Sequence, residues 1–111
     1  MPILKADYSS LSHDAMASSI GLNVKHIPIL IESFIQESNG AIAKLQEAID
    51  TKDFNTIHKE AHFIKGSAGN LQFQEVYEMC KEMEQEATHS NAAFDYDGYF
   101  KAIKEAIATI K

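Results

Sequence analysis

Apolar residues recur at steps of three and four almost from one end of the chain to the other, and only two prolines interrupt the 111 residues. That spacing puts apolar side chains on one face of an α-helix, and no stretch of period-two alternation competes with it as a strand. The pattern predicts an all-α chain. Hydrophobic residues at 45% supply enough apolar surface for a core, and the length suits one domain over 1–111 rather than two.

The punctuation sets the expected helices. A short first helix covers about Ser12 to Ile20, with Ser12 as its cap, Gly21 as its stop, and Tyr8, Leu11, Ala15 and Ile20 facing inward. A second begins at Val24 or Ile27, because Pro28 is tolerated only in a first turn, and runs to Ile49. Its stripe is Ile27, Ile31, Phe34, Ile42, Leu45 and Ile49. Asp50-Thr51-Lys52 is a tight connection, after which Asp53 caps a third helix with Phe54, Ile57, Ala61, Ile64, Ala68 and Leu71 on one face. A fourth helix spans about Phe73 to Ala87, burying Phe73, Val76, Cys80, Met83 and Ala87. A fifth runs from Tyr96 or Asp97 to Ile110, burying Phe100, Ile103, Ile107 and Ile110. Long helices on short links pack as antiparallel neighbours, so the expected architecture is an up-and-down four-helix bundle with a short extra N-terminal helix.

Sixteen Asp and Glu against ten Lys and Arg give a net charge of −6, which repels nucleic acid on average. The start, Met1-Pro2-Ile3-Leu4-Lys5-Ala6-Asp7, lacks the apolar run of a signal peptide, and Ile27 to Ile31 is too short to span a membrane. The single cysteine, Cys80, forms no internal disulfide and reads as a buried structural thiol in a reducing compartment. The expectation is a cytoplasmic monomer.

The chemistry concentrates on the third helix. At about 100° per residue, His62 falls on the solvent side, with Lys65 and Gly66 as its surface neighbours at three and four residues. Gly66 and Gly69 each cost a helix about 0.8–1 kcal/mol relative to alanine, with no packing reason on an exposed face. Something that approaches the backbone closely would account for them, and Phe63 faces outward beside them as a docking spot. The same geometry also describes an ordinary surface histidine.

The run Ala61-His62-Phe63-Ile64-Lys65-Gly66-Ser67-Ala68-Gly69-Asn70-Leu71 resembles the A-H-x-[LI]-K-G-[SA]-[AS]-x-x-[LI] signature of histidine-containing phosphotransfer (HPt) domains. The likeness extends to Leu45-Gln46-Glu47-Ala48-Ile49 before it and to Val76 through Glu84 after it, and covers roughly Leu11 to the C-terminus. It implies a phosphoryl shuttle between receiver aspartates, with His62 as the phosphoacceptor through Nε2 and Lys65 neutralising phosphoryl charge. Gly66 would leave room for the receiver's loop. Glu84 matches a polar position that faces the histidine, where a carboxylate accepting Nδ1–H would set the tautomer; the alternative is a solvated glutamate at the helix rim. The resemblance also implies receiver domains, and a hybrid sensor kinase, as partners. It implies no cofactor on this chain, with Mg²⁺ held by the receiver. Gln72 departs from the family, which has glycine in the turn after the motif, so Gly69 or Asn70 is expected to make that turn instead.

Other constellations are weaker. His58-Lys59-Glu60-Ala61-His62 is not a zincin motif, because its glutamate stands at the wrong position for a general base. His58 and His62 are one turn apart and need further ligands to hold a metal tightly. Glu86-Ala87-Thr88-His89 lacks the second copy that a di-iron bundle requires. No metal site is therefore expected. His13, His26 and His89 lie near helix ends. Without an ATP-binding loop or an activated Ser or Cys, an independent enzyme is not expected. The rival function is a helical adaptor that binds a receiver or another helical partner through the same face without carrying phosphate. The chain reads as a stand-alone shuttle or as a piece of a hybrid kinase.

Overall fold

The computed structural model describes residues 4–110; Met1 to Ile3, part of the start without a signal peptide's apolar run, and Lys111 lie outside the described residues. The elements are α1 (His13–Ile20), a 3₁₀ turn (Val24–His26), α2 (Ile27–Thr51), α3 (Phe54–Asn70), α4 (Gln74–Thr88) and α5 (Tyr96–Ala108). No strand occurs among the described residues. At about 1.5 Å per residue the 25 residues of α2 reach nearly the full 42 Å length of the molecule. α3 packs most extensively on α4 and next on α2, while α5 closes the ring against α4 and α2. α1 contacts the 3₁₀ turn and α2.

The caps follow from residue chemistry. Ser12 accepts the Ala15 N–H, Asp53 accepts both the N–H and the hydroxyl of Thr56, and Asp95 accepts the Gly98 N–H. The Thr56 hydrogen bonds hold the Asp53 carboxyl below the ordinary carboxylate range. Pro28 stands in the first turn of α2, where its missing N–H is harmless.

The stop of α3 corrects the expectation for the turn after the motif. Gln72 itself adopts the left-handed conformation at φ 62°, and α3 continues helically through Gly69 and Asn70. The Phe73 N–H reaches back to the Ala68 carbonyl at 2.9 Å, closing a Schellman-type turn. A left-handed glutamine costs about 1–2 kcal/mol, which the burial of Leu71 and Phe73 on either side offsets. Lys52 (φ 57°) and Ser90 (φ 52°) end α2 and α4 in the same way, and Gly21 ends α1. Because α2 runs on to Thr51, the connection is Lys52 and Asp53 alone.

One contiguous cluster fills the bundle, with Ile27, Leu45, Ile57, Ile64, Phe73, Met79, Met83 and Ile103 among its most buried members. In α1 the buried residue is Ala17, not Ala15, which is exposed: a short helix with a weak apolar stripe takes the face that its contact with α2 buries. Leu11, Ile20, Ile49 and Phe54 are half-buried at the cluster's edge. Tyr8 ties the N-terminal segment down. Its N–H donates to Thr109 Oγ1 and its hydroxyl to Glu75 Oε1, both at 2.8 Å, while its ring packs 4.7 Å from that of Phe73. Burial and the Glu75 hydrogen bond push the Tyr8 hydroxyl well above the usual tyrosine range. Tyr96 and Tyr99 are also buried, so the inward face of α5 is wider than its isoleucines and phenylalanine alone predict.

Candidate functional site

The extensive α3–α4 contact sets the site. His62 projects from the outer face of α3, and its side chain is 66% exposed, at the solvent angle the helical spacing predicts. One turn of α4 lies opposite, and from it Glu84 reaches back with a side chain only 10% exposed. Glu84 Oε2 meets Nδ1 of His62, while Oε1 lies 2.7 Å from Nζ of Lys65. A single carboxylate from α4 thereby spans two residues of α3.

Burial alone would raise the Glu84 carboxyl, but the hydrogen bonds and charges of Lys65 and His62 prevail and hold it below its ordinary range. Glu84 is therefore ionised and can only accept. Nδ1 of His62 accordingly carries the proton in the neutral ring, and Nε2, on the other side of the ring, carries the lone pair. The Glu84 side chain is thus largely buried and in contact with both His62 and Lys65 of α3.

Lys65 is less open than a surface lysine on the outer face would be. Its side chain is 21% exposed and its ammonium is engaged with Glu84. A cation in this position offsets the carboxylate that it touches and still lies within one helical turn of His62.

The glycines divide. A Cβ built at Gly66 meets nothing within 4 Å, so the space beside His62 is open and packing does not require a glycine there. At Gly69 the same atom would sit 3.3 Å from Tyr77 Cδ2. The α4 ring therefore gives Gly69 a packing reason, contrary to the expectation that both glycines lack one. Phe63 is 43% exposed and shares a surface groove with Gln36, Gly40 and Lys44 of α2.

Behind these residues His58 stacks on His62 with ring centroids 6.2 Å apart, and its Nδ1 lies 2.9 Å from Thr88 Oγ1. Sequence reasoning noted the spacing of the two histidines but had no signal for Thr88, whose approach depends on the register between two helices. Cys80, one turn before Glu84, is fully buried, and burial together with the Glu84 charge pushes its thiol far above the usual range. It is inert as a nucleophile.

Compared with known families, residues 29–111 match the family model of the Hpt domain. The matched span begins in the first turn of α2, so α1 and the 3₁₀ turn fall outside it, a shorter reach than the resemblance from Leu11 onward. Searches of curated proteins and of solved structures found no match. Among the described residues no helix is long and apolar enough to cross a membrane.

Proposed function

Because the chain belongs to the Hpt domain family, we propose that it accepts a phosphoryl group on Nε2 of His62 from the phospho-aspartate of one receiver domain and passes it to an aspartate of another. Hpt domains are phosphocarriers of two-component phosphorelays and work with receiver domains and kinases. The observation that carries the finer reading is the grip of Glu84 on Nδ1 of the exposed His62.

The step balances without a proton transfer. The Nε2 lone pair attacks phosphorus, the N–P bond forms as the aspartyl O–P bond breaks, and the carboxylate leaves with the bonding pair. The ring keeps its Nδ1 proton and becomes cationic, which the ionised Glu84 stabilises as it develops. Lys65 balances the carboxylate and, within one turn of His62, the incoming phosphoryl charge. The open space over Gly66 gives the receiver's loop its approach in line with Nε2. Phe63 flanks that approach as a docking residue; Gly69, packed by Tyr77, serves it through the helix pair. Mg²⁺ in this scheme belongs to the receiver.

The test is a two-receiver relay. The chain is mixed with a labelled phospho-receiver, isolated, and mixed with a second, unlabelled receiver. The proposal requires label to pass to the chain and then to the second receiver. Saturable receiver binding with no label on the chain would instead establish the adaptor.

A further inference from the structure

The phosphotransfer reading leaves His58 unused. It sits one turn before His62 on the same face of α3, with the two rings nearly parallel at 13° and 6.2 Å apart. Its Nδ1 lies 2.9 Å from Thr88 Oγ1 and 3.5 Å from the Glu84 carbonyl oxygen. The Thr88 hydroxyl has one hydrogen, and the Glu84 carbonyl accepts it at 2.9 Å. Thr88 therefore accepts from Nδ1–H of His58. Both rings are pinned at Nδ1 by α4, and both present the Nε2 lone pair on their far side.

We infer that His58 and His62 together bind one transition-metal ion, Zn²⁺ or Cu²⁺, through their Nε2 atoms. Two histidines at i and i+4 on one helix face can both ligate a single ion, which other donors must complete, and imidazole suits both metals. Metal-binding histidines characteristically give their other ring N–H to a carboxylate or another acceptor, the arrangement that Glu84 and Thr88 supply here. Bonds of about 2.0–2.1 Å require the two Nε2 atoms to converge, by each ring tilting about the Nδ1 contact that α4 makes with it. Among the described residues no group of three or more His, Cys, Asp or Glu side chains is placed to hold a metal. Water fills the remaining positions, and the ion exchanges instead of staying resident. A net charge of −6 favours its arrival.

The consequence rests on the proposed function: Nε2 of His62 cannot hold a metal and a phosphoryl group together, so the ion blocks phosphorylation. Binding is measured first, on the unphosphorylated full chain, by calorimetric titration with zinc chloride and with copper sulfate in a non-chelating buffer. One ion per chain is expected. His58→Gln should weaken binding by more than about tenfold, since losing even an outer partner of a metal-bound histidine costs about 10–100-fold. Thr88→Val keeps both ligands and should still weaken binding by about tenfold, with helicity checked by circular dichroism. Labelling by a phospho-receiver is then followed with and without zinc. Zinc should suppress it in the wild type and have little effect on His58→Gln relative to that variant's own zinc-free rate. Absence of saturable binding, or equal affinity in His58→Gln, overturns the metal site while leaving phosphotransfer untouched. Zinc binding in a chain that never takes label overturns the phosphotransfer reading and leaves the site standing.

Discussion

The Lys65 ammonium lies 2.7 Å from Oε1 of Glu84, on the same carboxylate whose other oxygen meets Nδ1 of His62. The cation and the histidine are thus linked through a residue of the neighbouring helix, and a change at any of the three is felt by the others.

Lys65→Ala should therefore raise the Glu84 carboxyl toward its ordinary range, because the lysine's hydrogen bond is the largest of the effects that oppose its burial. Stability should fall by about 1 kcal/mol or less, and phosphotransfer should slow. Carboxyl chemical shifts followed through an acid titration, together with a melting curve, check this. An unmoved Glu84 titration would contradict the linkage.

Glu84→Gln removes a charged acceptor from the histidine. A hydrogen bond to a charged group contributes about 1.5–3 kcal/mol, so if that is expressed in the transition state the transfer rate falls by roughly 10–150-fold. Rapid-quench measurement of label arriving on the chain gives the number. A rate within a factor of two of the wild type would reduce Glu84 to a packing residue.

The same variant carries a pH signature. The Glu84 carboxyl is lower in the folded chain than its ordinary value, so the unfolded state binds more protons in that window. Its stabilisation is fully present above the unfolded value of about 4.3 and is lost as pH falls through the folded value. The melting-temperature gap between the wild type and Glu84→Gln should be constant near neutral pH and close in acid. A gap that persists undiminished below the carboxylate range would contradict the assignment.

The two glycines of α3 should respond differently. Gly66→Ala gains up to about 1 kcal/mol of helix propensity because its Cβ meets nothing, whereas Gly69→Ala must displace the Tyr77 ring and gains less. Gly66→Gln should fold and yet transfer poorly, since its side chain occupies the approach to His62. Melting temperatures and transfer rates on the three variants decide it; full transfer by Gly66→Gln would place the approach elsewhere.

Gln72→Gly should raise stability by up to about 1 kcal/mol, since φ 62° is strained for glutamine and free for glycine. Denaturant unfolding measures it. An unchanged or lowered midpoint would mean that the turn is not strained at this residue.

What could be read from the sequence was what one helix determines about itself. Ser12, Gly21, Pro28 and Asp53 mark helix ends by chemistry that acts within a few residues, and the spacing around Ile57 turns His62 outward without reference to any neighbour. The turn at Gln72 was missed because its strain is offset by Leu71 and Phe73 burying themselves in the core. Ala17 in place of Ala15 has the same origin, since the buried face of a short helix is set by its contact with α2. At the site, Glu84 was legible as a matching family position at the edge of its helix's apolar face, from which a side chain can reach across the groove. Its simultaneous hold on His62 and Lys65, and the contact of Thr88 with His58, depend on how α4 is registered against α3, which neither helix's own pattern records.

Phosphotransfer through His62 is tested most directly by where phosphate resides. The full chain is incubated with a receiver bearing labelled phospho-aspartate, and the label is mapped by mass spectrometry and tested for stability in acid and in alkali. The account predicts acid-labile, alkali-stable label on His62 alone, absent from a His62→Gln variant that keeps its helical circular dichroism. Label that persists in that variant, or that maps to His58, would contradict it.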